Sequence, residues 1–545
     1  MNATSAPQLP ATPSEPAPTM VWNAWGVESG HKELSPEVKA LISSALGVSE
    51  GVADSRAVAD VALRDSALTD DQRSGLAGIV GDEFVSIAHE DRLIHAGGKS
   101  TFDLLRRRSG EPQAAPDAIL FPADHDQVVA LLAYCAENAI AVVPFGGGTS
   151  VVGGVDPARG DFAAVVTLDL RRLDALVAVD SVSGLATLGA GLTGPQAEAL
   201  LGEHGLSIGH FPQSFQFASI GGYAATRSSG QASAGYGRFD DMVHRLQIAT
   251  PRGTLDLGKA PASAAGPDLR ELFVGSEGTL GVITAVTVRV HPVPETTGYQ
   301  GWSFPNFETG AAALRSVIQT GATPTVMRLS DEAETGVNLA MSDRIGSDSG
   351  VSGCLAITTF EGTPAHVEAR QAEATAILLA AGGTALGAEP AQQWEHGRFN
   401  APYMRDALLD AGVLCETMET ATVWSNLGAL RTAVTSALSD SLGGQGTPPL
   451  VLCHISHTYV TGASLYFTII CAAKEDAIAQ WSIAKKAVGD AIVSVDATIT
   501  HHHAVGADHR PWMTDEVGEL GVEVLRAVKA AIDPAGILNP GKLIP

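Results

Sequence analysis

Three consecutive histidines, His501, His502 and His503, stand just before Ala504-Val505-Gly506 in this chain of 545 residues. Neutral imidazole takes or gives a proton near physiological pH, so such a tract is a candidate for general acid–base work. Consecutive side chains on a regular element diverge, so one metal ion cannot easily take all three, and no metal is expected. His454 and His457 form a weaker pair, because residues three apart on a strand face opposite ways and a shared metal is disfavoured. A second kind of chemistry is written in Pro144-Phe145-Gly146-Gly147-Gly148-Thr149-Ser150, directly after the apolar run Ala139 to Val143. Glycines reach positive φ at no steric cost, and their converging N–H groups can then bind phosphate oxygens. No Lys follows these glycines, so the loop is not a Walker loop, and Val151 breaks the Rossmann pattern. Asp169 still lies at about the ribose-binding distance, which leaves a dinucleotide reading open on spacing. The bland alternatives are turn glycines and a solvated histidine tract.

Alternating elements must hold these residues. Ala118 to Phe121 reads as a strand, Asp126 to Asn138 as an amphipathic helix, and Ala139 to Val143 as the strand feeding the glycine loop. Val165 to Leu170 and Ala186 to Leu188 are further strands, Gly194 to Leu201 starts a helix, and His244 to Leu257 is a hairpin turning at Pro251-Arg252-Gly253. Val286, Val288 and Val290 alternate with Thr287 and Arg289 until Pro292 and Pro294 stop the strand. Beyond it, strands at Gly301 to Phe304, Val351 to Phe360, Leu450 to Ser456 and Ser464 to Cys471 flank helices at Phe307 to Gln319 and Ala365 to Ala381. Ala491 to Thr500 reads as strand-like, and Glu516 to Ile532 as a helix returning to the first domain. These boundaries predict a disordered tail over 1–20, a helical segment over 21–111 (helices at Ser35 to Leu46 and Asp70 to Val80) and a cofactor domain over 112–294. A cap domain over 295–498 and a histidine loop with C-terminal helix over 499–545 complete the division. Trp22 and Trp25 read as plugs of a core edge.

Composition narrows the partners. Lys and Arg number 34 against 60 Asp and Glu, a formal charge of −26 that repels nucleic acid and anionic lipid. A phosphorylated substrate therefore needs local arginines. Five cysteines without a Cys-x-x-Cys suggest reduced thiols and a cytoplasmic setting. No apolar run reaches the ~18 residues of a spanning helix. No basic residue precedes Lys32, so a leader is not expected. The ending Leu543-Ile544-Pro545 is not a peroxisomal signal.

Three further segments accompany the glycine loop. Pro212-Gln213-Ser214 is followed by Ser219, Gly221, Gly222 and the run Ala225-Thr226-Arg227-Ser228. Then come Glu277-Gly278-Thr279-Leu280-Gly281-Val282-Ile283 and, near the end, Asn539-Pro540-Gly541-Lys542. In this order they resemble the FAD-binding domain of the vanillyl-alcohol-oxidase superfamily. The resemblance implies an α+β fold: a two-lobed FAD-binding domain with the glycine loop between the lobes, plus a cap domain whose antiparallel sheet is covered by helices. It also implies that these residues bind the cofactor, FAD.

The histidine motif narrows the resemblance to the alkyldihydroxyacetonephosphate synthases (alkylglycerone-phosphate synthases). Trp22-Asn23-x-Trp25-Gly26, Thr250-Pro251-Arg252-Gly253, Phe304-Pro305-Asn306-Phe307, Met327-Arg328-Leu329, Met404-Arg405-Asp406 and Tyr466-Phe467 are similar to the same family. The resemblance implies a transferase that exchanges the acyl chain of acyl-dihydroxyacetone phosphate for a fatty alcohol, through a flavin adduct and without net redox change. It implies Tyr466 as the proton-handling residue, with the triplet, His502 and His503 above all, assisting it. Arg405 is implied as the substrate-phosphate ligand and Arg328 as a catalytic arginine; guanidinium suits phosphate because it binds bidentately and stays charged. The expected partner is a small lipid substrate, in a homodimer with peripheral membrane contact. Gln213 departs from the family where an acidic residue is expected, and Asn539 to Leu543 is more like flavin-linked 2-hydroxy-acid dehydrogenases. Such a dehydrogenase is the alternative reading, but its Gly-Asp-Gly-Asn-x-His motif is replaced by Thr458-Tyr459-Val460-Thr461-Gly462-Ala463. A dead flavoprotein scaffold is disfavoured by the presence of Tyr466, His502, Arg328 and Arg405.

Overall fold

A computed structural model describes residues 9–31, 33–48, 58–109, 113–338 and 350–545. Residues 1–8 of the expected tail and 110–112 at the expected domain boundary lie outside the described residues. Residues 9–20 run along the cofactor lobes: Ala11 exchanges two backbone hydrogen bonds with Leu176, and Gln196 donates to the Glu15 carbonyl. A Pro/Ala-rich segment lacks a core of its own but can still be held where a strand edge offers it partners.

Two small sheets build the first domain. One contains Val85–Ser86, Ala118–Leu120, Ala164–Asp169 and Ile140–Phe145 in that order, and its two longest strands pair in parallel. Burial on both faces explains why Ile140–Phe145 is a continuous apolar run and why Ala164–Asp169 does not alternate with exposed residues. The helix His125–Glu137, N-capped by the Asp124 carboxylate, covers this sheet with Val128, Leu131, Leu132 and Cys135. The other sheet has five antiparallel neighbours in the order Leu176–Asp180, Leu185–Gly189, Val282–Arg289, Val243–Thr250 and Gly253–Leu257. In it Val286 and Val288 point inward while Thr287 and Arg289 face outward, as the alternation requires.

The second domain is a seven-stranded antiparallel sheet, ordered Thr384–Gly387, Thr296–Phe304, Cys354–Gly362, Val326–Ser330, Leu450–Thr458, Gly462–Ala472 and Val413–Val423. Helices Phe307–Thr320, Pro364–Ala380, Leu427–Gly444 and Ala477–Ser494 help cover it and share one core through Leu314, Leu378, Leu438 and Trp481.

One local expectation is overturned. Residues 491–494 finish the helix Ala477–Ser494, which Asp476 caps, and only Thr498 bridges to a strand, at Ala421. Trp481, Ala484, Val488 and Ile492 recur at helical spacing and all are buried, so the 3.6-residue period outweighs the β-branched residues beyond it. The helix Met513–Ile532 does return to the first domain: Lys529 donates to the Thr279 and Leu538 carbonyls, and Arg252 to that of Ala531. Both tryptophans are buried, Trp25 edge-on to Phe217 at 5.8 Å.

Candidate functional site

The four glycine-rich segments converge. A Cβ on Gly147 would lie 1.9 Å from the Phe217 carbonyl, and one on Gly146 2.1 Å from Ser219 Oγ, so the loop is pressed against the second segment. Gly278, at φ +73°, lies against Pro144, where a Cβ would meet the ring at 2.7 Å. The backbone N–H of Glu277 donates to Ala225, and the Asn539 amide donates to the carbonyls of Gly154 and Glu277. Ser219 caps the short helix Ile220–Thr226, which carries Gly221, Gly222, Ala225 and Thr226. Small residues are required here because backbone packs on backbone.

This cradle fits FAD. A cavity lined by Gly146, Gly147, Gly148, Thr193 and Ser219 opens onto it. Gln213 Nε2, Ser276 Oγ and Asn539 Oδ1 are buried without a partner, and all three belong to the cofactor segments or their edges. Buried polar atoms left unpaired in this way suit a polar ligand. Some segment residues serve the protein itself. Arg227, at φ +50°, pairs with Asp240 and Glu271, and Ser228 bonds His210. The Glu277 carboxylate accepts the N–H groups of Val505 and Gly506, and burial pushes its pKa up to about 7.

The cap sheet builds a second site from side chains. Tyr466 stands between His454 and Glu419 as their register partner on the two neighbouring strands, so the three form one row on one face. The Tyr466 ring stacks on His454 with centroids 4.9 Å apart and planes 19° apart. His502 lies almost parallel to Tyr466 at 6.1 Å, and His503 stands edge-on at 5.7 Å. Burial pushes the Tyr466 phenol up to about 12, with a hydrogen bond to Thr417 pulling the other way.

Glu419 decides where the triplet sits. Its buried carboxylate accepts the backbone N–H of His501 at 2.6 Å, of His502 at 3.2 Å and of His503 at 2.9 Å, and the Thr500 hydroxyl at 2.5 Å. These bonds and the facing His503 hold its pKa below the usual range against desolvation. A single carboxylate thus turns an irregular segment into a fixed one. Burial lowers the pKa of all three imidazoles, so they are neutral at pH 7.

Arg328 stands on the strand Val326–Ser330. Its Nη1 donates to His454 Nε2 at 3.1 Å, while His454 Nδ1 donates to the buried Glu334 at 2.8 Å. Arg328 also bonds Glu334 at 2.5 Å, and together with His454 it holds that carboxyl far below its usual range. Arg405, on the helix Ala401–Asp410, gives Nε and Nη2 to Asp406 and Nη1 to the Lys99 carbonyl. It is buried, and its charge reaches Tyr466. The expected separation of His454 and His457 is not kept: a register shift between Ile455 and Thr458 interrupts the strand's alternation, so His454 stacks on Tyr466 while His457 joins the triplet, with ring centroids 4.9 Å from His501 and 5.0 Å from His502. A cavity of about 450 Å³ opens beside them, bounded by Thr226, Arg227, Arg238, Tyr459, His501 and Val505.

Sequence reasoning missed Glu419 and Glu334, and marked Tyr459 only as part of the Thr458-Tyr459 motif, without a role. The signal for Glu419 is its place in Val413–Val423, an eleven-residue β-rich run; nothing local marks Glu334.

Comparison with known proteins agrees with this architecture. Residues 116–257 match the family described as FAD binding domain, and residues 293–543 that of FAD linked oxidases, C-terminal domain. Alkyldihydroxyacetonephosphate synthase of Dictyostelium discoideum is 35% identical over 473 residues, covering 83% of this chain and 77% of that protein. A solved alkyldihydroxyacetonephosphate synthase superposes with a TM-score of 0.82 at 30% identity, covering 96% of this chain and 99% of the other. 4-Ethylphenol oxidase from Gulosibacter chungangensis shares the fold alone, with a TM-score of 0.67 at 12% identity over 90% of this chain and 98% of that one.

Proposed function

The chain belongs to the alkyldihydroxyacetonephosphate synthase family and is an FAD-dependent enzyme, and from that premise we propose the division of labour within its site. The reaction is the exchange of the acyl group of acyl-dihydroxyacetone phosphate for a fatty alcohol, releasing a fatty acid. The backbone of Gly146 to Ser150 and the three companion segments would hold FAD, whose ring would activate a ketone without net redox change.

Tyr466 Oη takes and returns the proton at the carbon whose substituent is exchanged. A phenol raised to about 12 holds its proton at neutral pH, so it needs an acceptor to give that proton to. His502 and His503 are neutral and beside it, and so can receive it. Glu419 fixes the triplet through backbone hydrogen bonds. Arg328 keeps His454 in the tautomer whose flat face supports the Tyr466 ring. Arg405 is the proposed phosphate ligand: three of its five N–H donors are already used, which leaves two for the substrate. The row His454–Tyr466–Glu419 with the triplet against it carries this reading, because it gathers the proton-handling groups of separate segments on one face.

Five free, buried cysteines support a reducing, cytoplasmic setting. Among the described residues no helix is long and apolar enough to cross a membrane; a homodimer and peripheral lipid contact belong to the same reading and are tested by sedimentation and vesicle flotation. The deciding experiment incubates purified protein with palmitoyl-dihydroxyacetone phosphate and labelled hexadecanol. Ether product is expected. No product, together with flavin bleaching by D-lactate or D-2-hydroxyglutarate, transfers the protein to the dehydrogenases.

A further inference from the structure

His457, His501 and His502 come from two segments, and one nitrogen of each lies within 4.8 Å of one from either other ring. Their remaining hydrogen bonds decide which atoms are free. His457 Nδ1 lies 2.8 Å from Ser456 Oγ, with Ser464 Oγ at 3.2 Å on the same side. That leaves His457 Nε2 on the far side of the ring, buried and without a partner, in a residue 4% exposed. His501 Nε2 is 2.6 Å from the Tyr459 hydroxyl, and its Nδ1 is 2.9 Å from His502 Nδ1. A hydrogen bond explains the last contact but does nothing for His457 Nε2. A group able to accept electron pairs from all three rings satisfies every one of these atoms.

We propose that His457, His501 and His502 form a binding site for a divalent first-row transition cation, zinc in the first instance, and that its occupation reversibly arrests turnover. Three imidazoles and no thiolate suit Zn²⁺, Co²⁺, Ni²⁺ or Cu²⁺ and not Mg²⁺ or Ca²⁺, which need oxygen ligands. Three protein ligands leave a position open toward solvent, the arrangement of exchangeable zinc sites. Tyr459 on His501 Nε2 and the two serines on His457 Nδ1 orient the rings from behind, as outer partners of metal-bound histidines do. Glu419, 3.4 Å from His502 Nδ1, offsets cationic charge, while Arg238, tied to Asp240, opposes it. The proton shared between His501 and His502 moves to the outer nitrogen of His502 or to solvent when the cation binds. No bond to substrate or cofactor is made or broken. The arrest, though not the binding, rests on the role given above to His502, because a coordinated imidazole cannot accept a proton.

Equilibrium dialysis of the FAD-loaded full chain against Zn²⁺ in a non-chelating buffer, followed by metal analysis, tests the site without any assay of exchange. One equivalent is expected, with His457→Ala weakening it by roughly ten- to hundred-fold or more. Tyr466→Phe, which removes no ligand, should bind zinc as the unaltered protein does. X-ray absorption at the zinc edge of the unaltered protein keeps the test independent of how variants fold: a shell of three imidazole nitrogens supports the site, and a shell of oxygens, or of one imidazole, overturns it. Unchanged zinc affinity in His457→Ala overturns it too. If zinc binds at the three rings while exchange continues undiminished, the arrest is wrong. If exchange is never observed at all, dialysis and absorption still decide the site.

Discussion

The cofactor cradle and the cap-sheet row are two ways of making a site. The cradle is backbone: Gly146, Gly147 and Gly278 contribute room, and the groups that would meet a phosphate are N–H bonds every residue possesses. The row is side chain: Tyr466, His454, Glu419 and Arg328 come from four strands, and each matters for one functional group. A backbone site should therefore fail when anything is added, and a side-chain site when a single atom is removed.

The sharpest way to break the contrast is Gly147→Asp. Its Cβ would fall 1.9 Å from the Phe217 carbonyl and its charge would face the phosphates, so flavin should be lost and activity with it. Full flavin absorbance in a normally melting variant removes the loop from the cofactor site.

Tyr466→Phe deletes one oxygen. Flavin content and melting should hold while exchange falls by about 100-fold or more. His502→Ala should do similar damage, and the double variant should be little worse, because members of one unit are not additive. Near-normal turnover in Tyr466→Phe ends the proton-handling proposal.

Arg405→Ala should weaken apparent affinity for the phosphorylated ketone by roughly 30-fold or more, the scale for losing one partner of a buried charge pair. Arg405→Lys should recover little, since the fork is lost. Unchanged affinity in Arg405→Ala sends phosphate recognition elsewhere. Asp406 must be watched here, because it loses its partner as well.

The smallest effect lies where the two regions join. Burial raises the folded pKa of Glu277 to about 7, so its contribution to stability is complete below the ordinary carboxylate range and is lost as pH rises through about 7. Between pH 5 and pH 8 the unaltered protein should lose roughly 1–3 °C more in Tm than Glu277→Gln. Asp156, also raised to about 7, titrates in both proteins and cancels in the difference. Identical slopes mean that the clamp on Val505 and Gly506 does not depend on charge.

Much of the molecule was legible from sequence because its signals are local. The helix Asp70–Val80 carries its own cap, the hairpin its own turn, and the glycine loop its own freedom of φ. The long-range motif order supplied Tyr466, Arg328 and Arg405 through family resemblance, not through pattern. The strand-like reading of Ala491 to Thr500 failed because a β-branched tail was weighed against a helical period that begins fourteen residues earlier, at Ala477.

What the sequence determined alone was the type of each group: a backbone anion cradle, a histidine tract and arginines in an acidic chain. Which of them meet was decided only by the tertiary structure. Three adjacent histidines have no preferred direction of their own. The Glu419 carboxylate, more than eighty residues earlier and one strand away from Tyr466, gives them one by taking their backbone N–H groups. His457 joins them because the register shift between Ile455 and Thr458 breaks the strict alternation along its strand, so spacing within the strand does not by itself set which side chains share a face.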